Sequence, residues 1–90
     1  MSRMGAWRLR AMIQSRQPWV MTASGLTFTF GRVDVDGECC RIWLTVVRDS
    51  DGAQIPLNLP IVFPSPPEDT TWLEIISPIV RYAARKARAL

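Results

Sequence analysis

A chain of 90 residues with 48% hydrophobic and 21% charged side chains is one small globular domain, because two cores rarely fit below about 100 residues and this composition excludes disorder over most of the length. No apolar run approaches the ~20 residues of a membrane-spanning helix, and the absence of histidine removes Ser-His and Cys-His nucleophile pairs and every mixed Cys/His zinc site. The net charge of +3 conceals a segregation: residues 1–33 carry five arginines and no acid, residues 34–74 carry eight acids against Arg41 and Arg48, and residues 75–90 carry Arg81, Arg85, Lys86 and Arg88.

Residues 4–16 fit two readings. Trp7, Leu9, Ala11 and Ile13 alternate with Arg8, Arg10 and Met12 as in a strand. Ala6, Leu9, Ile13 and Arg16 also share one side of a short helix, and the Ala, Leu, Met, Arg and Gln content leans that way. Pro18 ends either element at or before Gln17.

Residues 19–23 read as a short strand, with Ser24-Gly25 as the turn after it. Leu26, Phe28 and Phe30 then alternate with Thr27 and Thr29, the clearest strand signal in the chain. Val33 and Val35 continue the apolar set at odd positions, so the parity flips across Gly31-Arg32. A strand with one buried face cannot flip parity without a bulge, and glycine suits the bulge type that needs positive φ. Asp36-Gly37 reads as a two-residue type I′ hairpin turn. That turn pairs Val35 with Glu38 and Val33 with Cys40. One extra residue at Gly31-Arg32 then pairs Phe30 with Ile42, Phe28 with Leu44 and Leu26 with Val46, all apolar. The opposite face carries Thr27, Thr29, Arg32, Asp34, Cys39, Arg41, Trp43, Thr45 and Val47. Trp43 and Val47 stand out on it as apolar groups that something else must cover.

Asp49-Ser50-Asp51-Gly52 reads as the next turn. Ile55, Leu57, Leu59, Ile61 and Phe63 alternate with Gln54, Pro56, Asn58, Pro60 and Val62. Pro56 and Pro60 share parity, so their missing donors lie along one side, which predicts an edge strand over 54–63 bonded to 39–48 through its odd residues. In the Pro64-Ser65-Pro66-Pro67-Glu68 segment, Ser65 and Glu68 have capping-box spacing with Pro66 at the first helical position. Trp72, Ile75, Ile76, Ile79, Ala83, Ala87 and Leu90 form an apolar stripe, opposite Glu74, Ser77, Arg81, Arg85 and Arg88. Pro78 must kink this helix or start a second one capped by Ser77. The expected fold is α+β: a small antiparallel meander of three to four strands with a C-terminal amphipathic helix and a short N-terminal element. Residues 1–18 form the N-terminal segment, 19–63 the sheet, and 64–90 the Pro-rich turn and helix.

Few constellations carry chemistry. Asp34-Val35-Asp36-Gly37-Glu38 and Asp49-Ser50-Asp51-Gly52 look like fragments of calcium loops, but neither supplies the later glutamate at the required offset, and Asp-Gly is what a tight turn demands by itself. Solvated turn carboxylates do not suit acid–base work. Cys39 and Cys40 are adjacent, so a bond between them would be strained, and neither has a histidine base. With no apolar leader stretch, they point to a reduced compartment, cytoplasmic or virion-associated, neither secreted nor membrane-spanning. No phosphate loop or dinucleotide fingerprint occurs, so no cofactor, metal or small-molecule substrate is expected.

Ten arginines against one lysine suit bidentate and stacked contacts at interfaces. A sheet with one helix is a thin core for a chain with four tryptophans. The expectation is therefore a non-enzymatic structural or interaction protein, a homo-oligomer or a small subunit of a larger assembly such as a virion or phage-type accessory component. Its partner is protein, with contacts through Trp43, Val47, Trp7, Trp19, Arg81, Arg85 and Arg88. The alternative is a small basic nucleic-acid-binding protein that uses the two Arg-rich ends. A membrane-surface role for 72–90 is disfavoured, because a sheet is available to bury its apolar stripe.

Overall fold

The computed structural model describes residues 6–15, 19–67 and 69–90, the side chains of Ala6, Trp7 and Leu9 excepted. Its elements are α1 (Ala6–Ser15), β1 (Trp19–Ala23), β2 (Leu26–Val35), β3 (Cys39–Arg48), β4 (Ile61–Pro64) and α2 (Trp72–Arg88). The strands form one antiparallel sheet in the order β1-β2-β3-β4, which is the expected α+β meander. The N-terminal ambiguity resolves as helix, with the Ser15 hydroxyl donating back to the Met12 carbonyl at 3.1 Å.

The Ser24-Gly25 turn has φ of 54° and 72° at its two central residues, the type I′ requirement. The bulge in β2 is also present: the ladder shifts between Phe30 and Arg32, leaving Gly31 without a partner. The cross-strand pairs, however, lie two residues from the expected ones. Val35 faces Cys40, Val33 faces Ile42, Phe30 faces Leu44, Phe28 faces Val46 and Leu26 faces Arg48. The hairpin turns at Gly37-Glu38 rather than at Asp36-Gly37. Asp36 N–H donates to the Cys39 carbonyl, Glu38 N–H donates to the Asp36 carbonyl, and the Asp36 carboxylate accepts from Cys39 N–H at 3.0 Å. Asp36 thus serves the turn as a side-chain acceptor from its flank. A shift of two residues keeps every side chain on its face, so the apolar pairing survives except at Leu26, which faces Arg48.

The expected strand over 54–63 is broken. Gln54 bridges Val47, and Ile61 pairs with Ile42, so the outer chain takes seven steps where β3 takes five. The two surplus residues force 55–60 to arch off the ladder, in a segment where Pro56 and Pro60 have no N–H to give it. Ile55 is still anchored, its N–H donating to the Val46 carbonyl, and Asn58 N–H donates to the Tyr82 hydroxyl at 3.2 Å. The expected parity holds: Ser65 N–H donates to the Glu38 carbonyl, which makes the odd positions of β4 the bonded ones.

α2 starts later than expected. Glu68 lies outside the described residues, and the working capping box is Thr71 with Glu74: the Thr71 hydroxyl accepts from Glu74 N–H, and the Glu74 carboxylate accepts from Thr71 N–H at 2.8 Å. The helix runs through Pro78 as one element. Pro78 and Glu74 are both exposed, so the carbonyl that loses its helical partner stays within reach of water. Leu90 does not join the apolar stripe; it lies past the helix end, exposed.

One core results. Phe28, Phe30, Val33, Ile42, Leu44 and Val46 of the sheet meet Ile75, Ile76, Ile79, Ala83 and Ala87 of α2, with Ile13 of α1 and Ile55 completing the cluster. Two fixtures hold α2 in place. At its start, Trp72 stacks on Trp19 (5.4 Å between centroids), and both rings meet Phe30 edge-on. At its end, Arg48 donates from Nη1 to the Ala87 carbonyl at 3.0 Å while gripping Asp51 with Nε and Nη2. A guanidinium at a helix C-terminus suits the negative end of the dipole.

The bulge glycine is not at positive φ, and a Cβ there would meet only the Trp43 carbonyl oxygen, at 3.7 Å. Gly31→Ala is therefore expected to change stability by less than about 1 kcal/mol. Gly25→Ala, at φ +72°, should cost about 1–2 kcal/mol. Urea denaturation of the two variants checks the contrast.

Candidate functional site

Alternation in the strands gives the sheet two different faces. One is buried under the helices; among the described residues no helix or strand covers the other, the bare face. Across the bare face run Thr22, Thr27, Val47 and Gln54 in one row, Val20, Thr29 and Thr45 in the next, then Arg32 beside Trp43, and Asp34, Arg41 and Val62 in the last. Val20 and Val62 are more than half exposed, and Trp43 and Val47 are half-buried.

Trp43 sits at the centre, cross-strand from Arg32, whose guanidinium lies 4.6 Å from the ring centroid. The same guanidinium grips Asp34, Nη2 to Oδ2 at 2.8 Å. Arg41 donates to the Asp36 carboxylate at 2.6 Å. The Thr27 hydroxyl donates to the Asp49 carboxylate at 2.6 Å. The face's two arginines are thus each matched by an aspartate.

These local pairs correct the sequence-level picture of an acidic middle. Asp34, Asp36 and Asp51 are held by Arg32, Arg41 and Arg48, so the acidic turns are largely neutralised within the chain. The cations of α2 are not: Arg81, Arg85 and Arg88 are exposed, and among the described residues none has an ion-pair partner. Asp34, Asp36 and Asp51 are occupied by guanidinia, the last two also by backbone N–H groups, and Asp49 by the Thr27 hydroxyl; among the described residues no cluster of three or more His, Cys, Asp or Glu could hold a metal ion.

The structure separates the seven expected contact residues. Trp43 and Val47 share the bare face. Trp19 points the other way, into the ring trio with Trp72 and Phe30. Arg81, Arg85 and Arg88 line the outer side of α2, beyond the core from Trp43. The side chain of Trp7 lies outside the described residues. Both cysteines are free; Cys40 is buried on the core face, with its sulfur 3.9 Å from the Ser65 hydroxyl, and burial pushes its thiol pKa up.

One feature was not read from the sequence. A groove of about 430 Å³ lies between β4, the proline segment after it and α2, lined by Phe63, Pro64, Pro67, Ile75, Pro78 and Tyr82 among others. The available signal was the surplus of prolines, which have no ladder or helix donor to offer and collect on exposed surfaces.

No family model matches the chain, no curated protein matches it, and no solved structure matches it. Among the described residues no helix is long and apolar enough to cross a membrane.

The acid turns generate a pH prediction. The hydrogen bonds from Arg48 and from Ala53 N–H hold Asp51 down to about 2, against an ordinary 3.8, and Arg41 with Cys39 N–H lowers Asp36 in the same direction. A depressed carboxylate pKa stabilises the fold above the unfolded value, and that stability is lost as pH falls through the folded one. Stability should therefore hold above about pH 4 and decline from there toward about pH 2. In Asp51→Asn that decline should be shallower, as read by tryptophan fluorescence during acid titration.

Proposed function

We propose that the protein is a non-enzymatic interaction protein, a subunit that assembles with copies of itself or with other protein subunits through the bare face of its sheet. One observation carries the reading: both helices lie against one face of a four-stranded sheet, leaving a tryptophan and three valines on the other. Val20 is 53% and Val62 55% exposed at its margins. An apolar patch with an aromatic centre and a polar surround is the usual anatomy of a protein contact. The ion pairs beside Trp43 make the patch close to neutral, which removes electrostatic repulsion between two such faces.

A second reading, a small basic nucleic-acid-binding protein, draws on the exposed Arg81, Arg85 and Arg88, which have no ion-pair partner among the described residues. Binding by those residues alone would be sequence-independent and steeply salt-dependent.

Sedimentation over a wide concentration range, with oligonucleotide titration at two salt concentrations, separates the readings. The expected result is a defined assembly whose dissociation constant rises at least about tenfold in Trp43→Ala. The stability cost of the same change should be only about 1–2 kcal/mol, since the ring is half-covered by Arg32. Salt-sensitive oligonucleotide binding abolished by Arg81→Glu with Arg85→Glu, in a chain that stays monomeric, would favour the second reading instead.

A further inference from the structure

The two edges of the sheet are built differently. The outer edge of β4 presents its even positions, because Ser65 N–H and the odd residues bond β3. Those positions are Val62 and Pro64; Pro64 has no N–H, and neither has Pro60 just before the strand. Proline is one of the standard ways to block edge pairing. β1 has no such protection. Its sequence, Trp19-Val20-Met21-Thr22-Ala23, contains neither a proline nor a charge.

The backbone polarity of β1 follows from its neighbours. The type I′ turn at Ser24-Gly25 makes Ala23 and Leu26 a hydrogen-bonded pair. Asp49 N–H donates to the Gly25 carbonyl, which gives the odd positions of β2 to β3 and the even ones to β1. In β1 the residues bonded to β2 are therefore 19, 21 and 23, and the N–H and C=O groups of Val20 and Thr22 point out of the sheet. Among the described residues no strand meets them.

We infer that β1 pairs with β1 of a second copy, antiparallel about a two-fold axis at Met21, to make a dimer with one continuous eight-stranded sheet. The strand is its own complement in this register. Val20 of each copy exchanges both backbone hydrogen bonds with Thr22 of the other, and the two Met21 residues form the close non-bonded pair. The contact is isologous and closes on itself. The proline-blocked β4 edges stop further addition, so the outcome is a dimer and not a fibre.

The surface beside the strand supplies the area that the strand lacks. A stable interface buries about 800 Å² per partner, more than a five-residue edge provides. Next to β1 lies a groove of about 440 Å³, walled by Met21, Leu73, Ile76 and Val80 with Arg81 at its end. Leu73 is 69% exposed, although it belongs to a core-facing helix. α2 runs in the same direction as β1, with Trp72 beside Trp19 and Arg88 beside Ser24 and Gly25. The two-fold therefore sets the two helices antiparallel, turns Leu73 of one copy toward Val80 of the other, and sends the exposed Arg85 and Arg88 to opposite ends. The charge distribution is compatible with a second copy of this cationic chain.

This dimer uses a different surface from the bare face proposed above, and the test keeps the two apart. Sedimentation equilibrium of the full chain should give a dimer in the wild type and in Trp43→Ala. Thr22→Pro removes only an outward N–H and should raise the dimer dissociation constant at least about tenfold while circular dichroism stays unchanged. Should Thr22→Pro fail to fold, Leu73→Lys serves as the second edge variant: it puts a charge into the groove beside β1, at a position 69% exposed in the monomer and away from the bare face, and the same loss is expected. Hydrogen exchange gives the direct readout: the amides of Val20 and Thr22 should be protected only at concentrations where the dimer forms. A monomeric wild type, a dimer that survives the edge variants, or unprotected Val20 and Thr22 amides in the dimer would each overturn the inference. Loss of the dimer in Trp43→Ala but not in the edge variants would overturn it while supporting the bare-face reading.

Discussion

The structure depends on one surplus residue in β2. Phe28 and Phe30 approach the bulge at even positions and Val33 and Val35 leave it at odd ones, yet Phe28, Phe30 and Val33 are all fully buried. Without the step at Gly31, half of that strand would turn its valines to water and its charged residues, Arg32 and Asp34, to the core. The cost of burying an arginine and an aspartate in an apolar layer exceeds any local preference, so the bulge is obligatory for this sequence. It also fixes what the other face can be. With Val33 and Val35 inward, Arg32 and Asp34 must stand outside, where Arg32 meets Trp43 and Asp34 meets Arg41. Core and outer face are two consequences of one register.

Side-chain alternation has a period of two, and that decides what could be read in advance. Which residues face the core, where the parity flips, and which positions of the outer strand bond to β3 were all legible. A slide of two residues was not, because it leaves every residue on its face. Only the turn could have decided the β2–β3 register. Asp36-Gly37 was misleading because the aspartate acts through its side chain, from the flank, on Cys39 N–H. The arch at 55–60 was invisible for a similar reason: the apolar alternation continues through it, while the surplus length shows only when both ends are paired.

The helix start and the charges failed to read out through competition between local signals. Two capping boxes lie within ten residues, Ser65 with Glu68 and Thr71 with Glu74. The second is used because the apolar stripe begins at Trp72, where stacking on Trp19 fixes the first turn. Along the sequence the charge segregates, with eight acids against two arginines over residues 34–74. In the fold, short-range pairs join Asp34, Asp36 and Asp51 to arginines no more than five residues away in the chain, and the exposed cations of α2 are left outside those pairs. Of the expected contact residues, Trp43 and Val47 were legible as outward by parity alone. Trp19 shares that logic and lies on the inner side for the same reason.

The meander order bears on how the chain reaches this state. Every strand pairs with its neighbour in sequence, so each ladder closes a short loop and the sheet can assemble hairpin by hairpin at low entropic cost. α2 contributes nothing to any ladder. Two of its attachments reach far back along the chain, Trp72 to Trp19 and Ala87 to Arg48, and both need a formed sheet to grip. A nascent sheet awaiting its helix is apolar on one side and carries an unprotected edge on β1, the combination most prone to misassociation. Arrival of α2 ends that interval, and the ring stack at Trp19 is where its arrival registers.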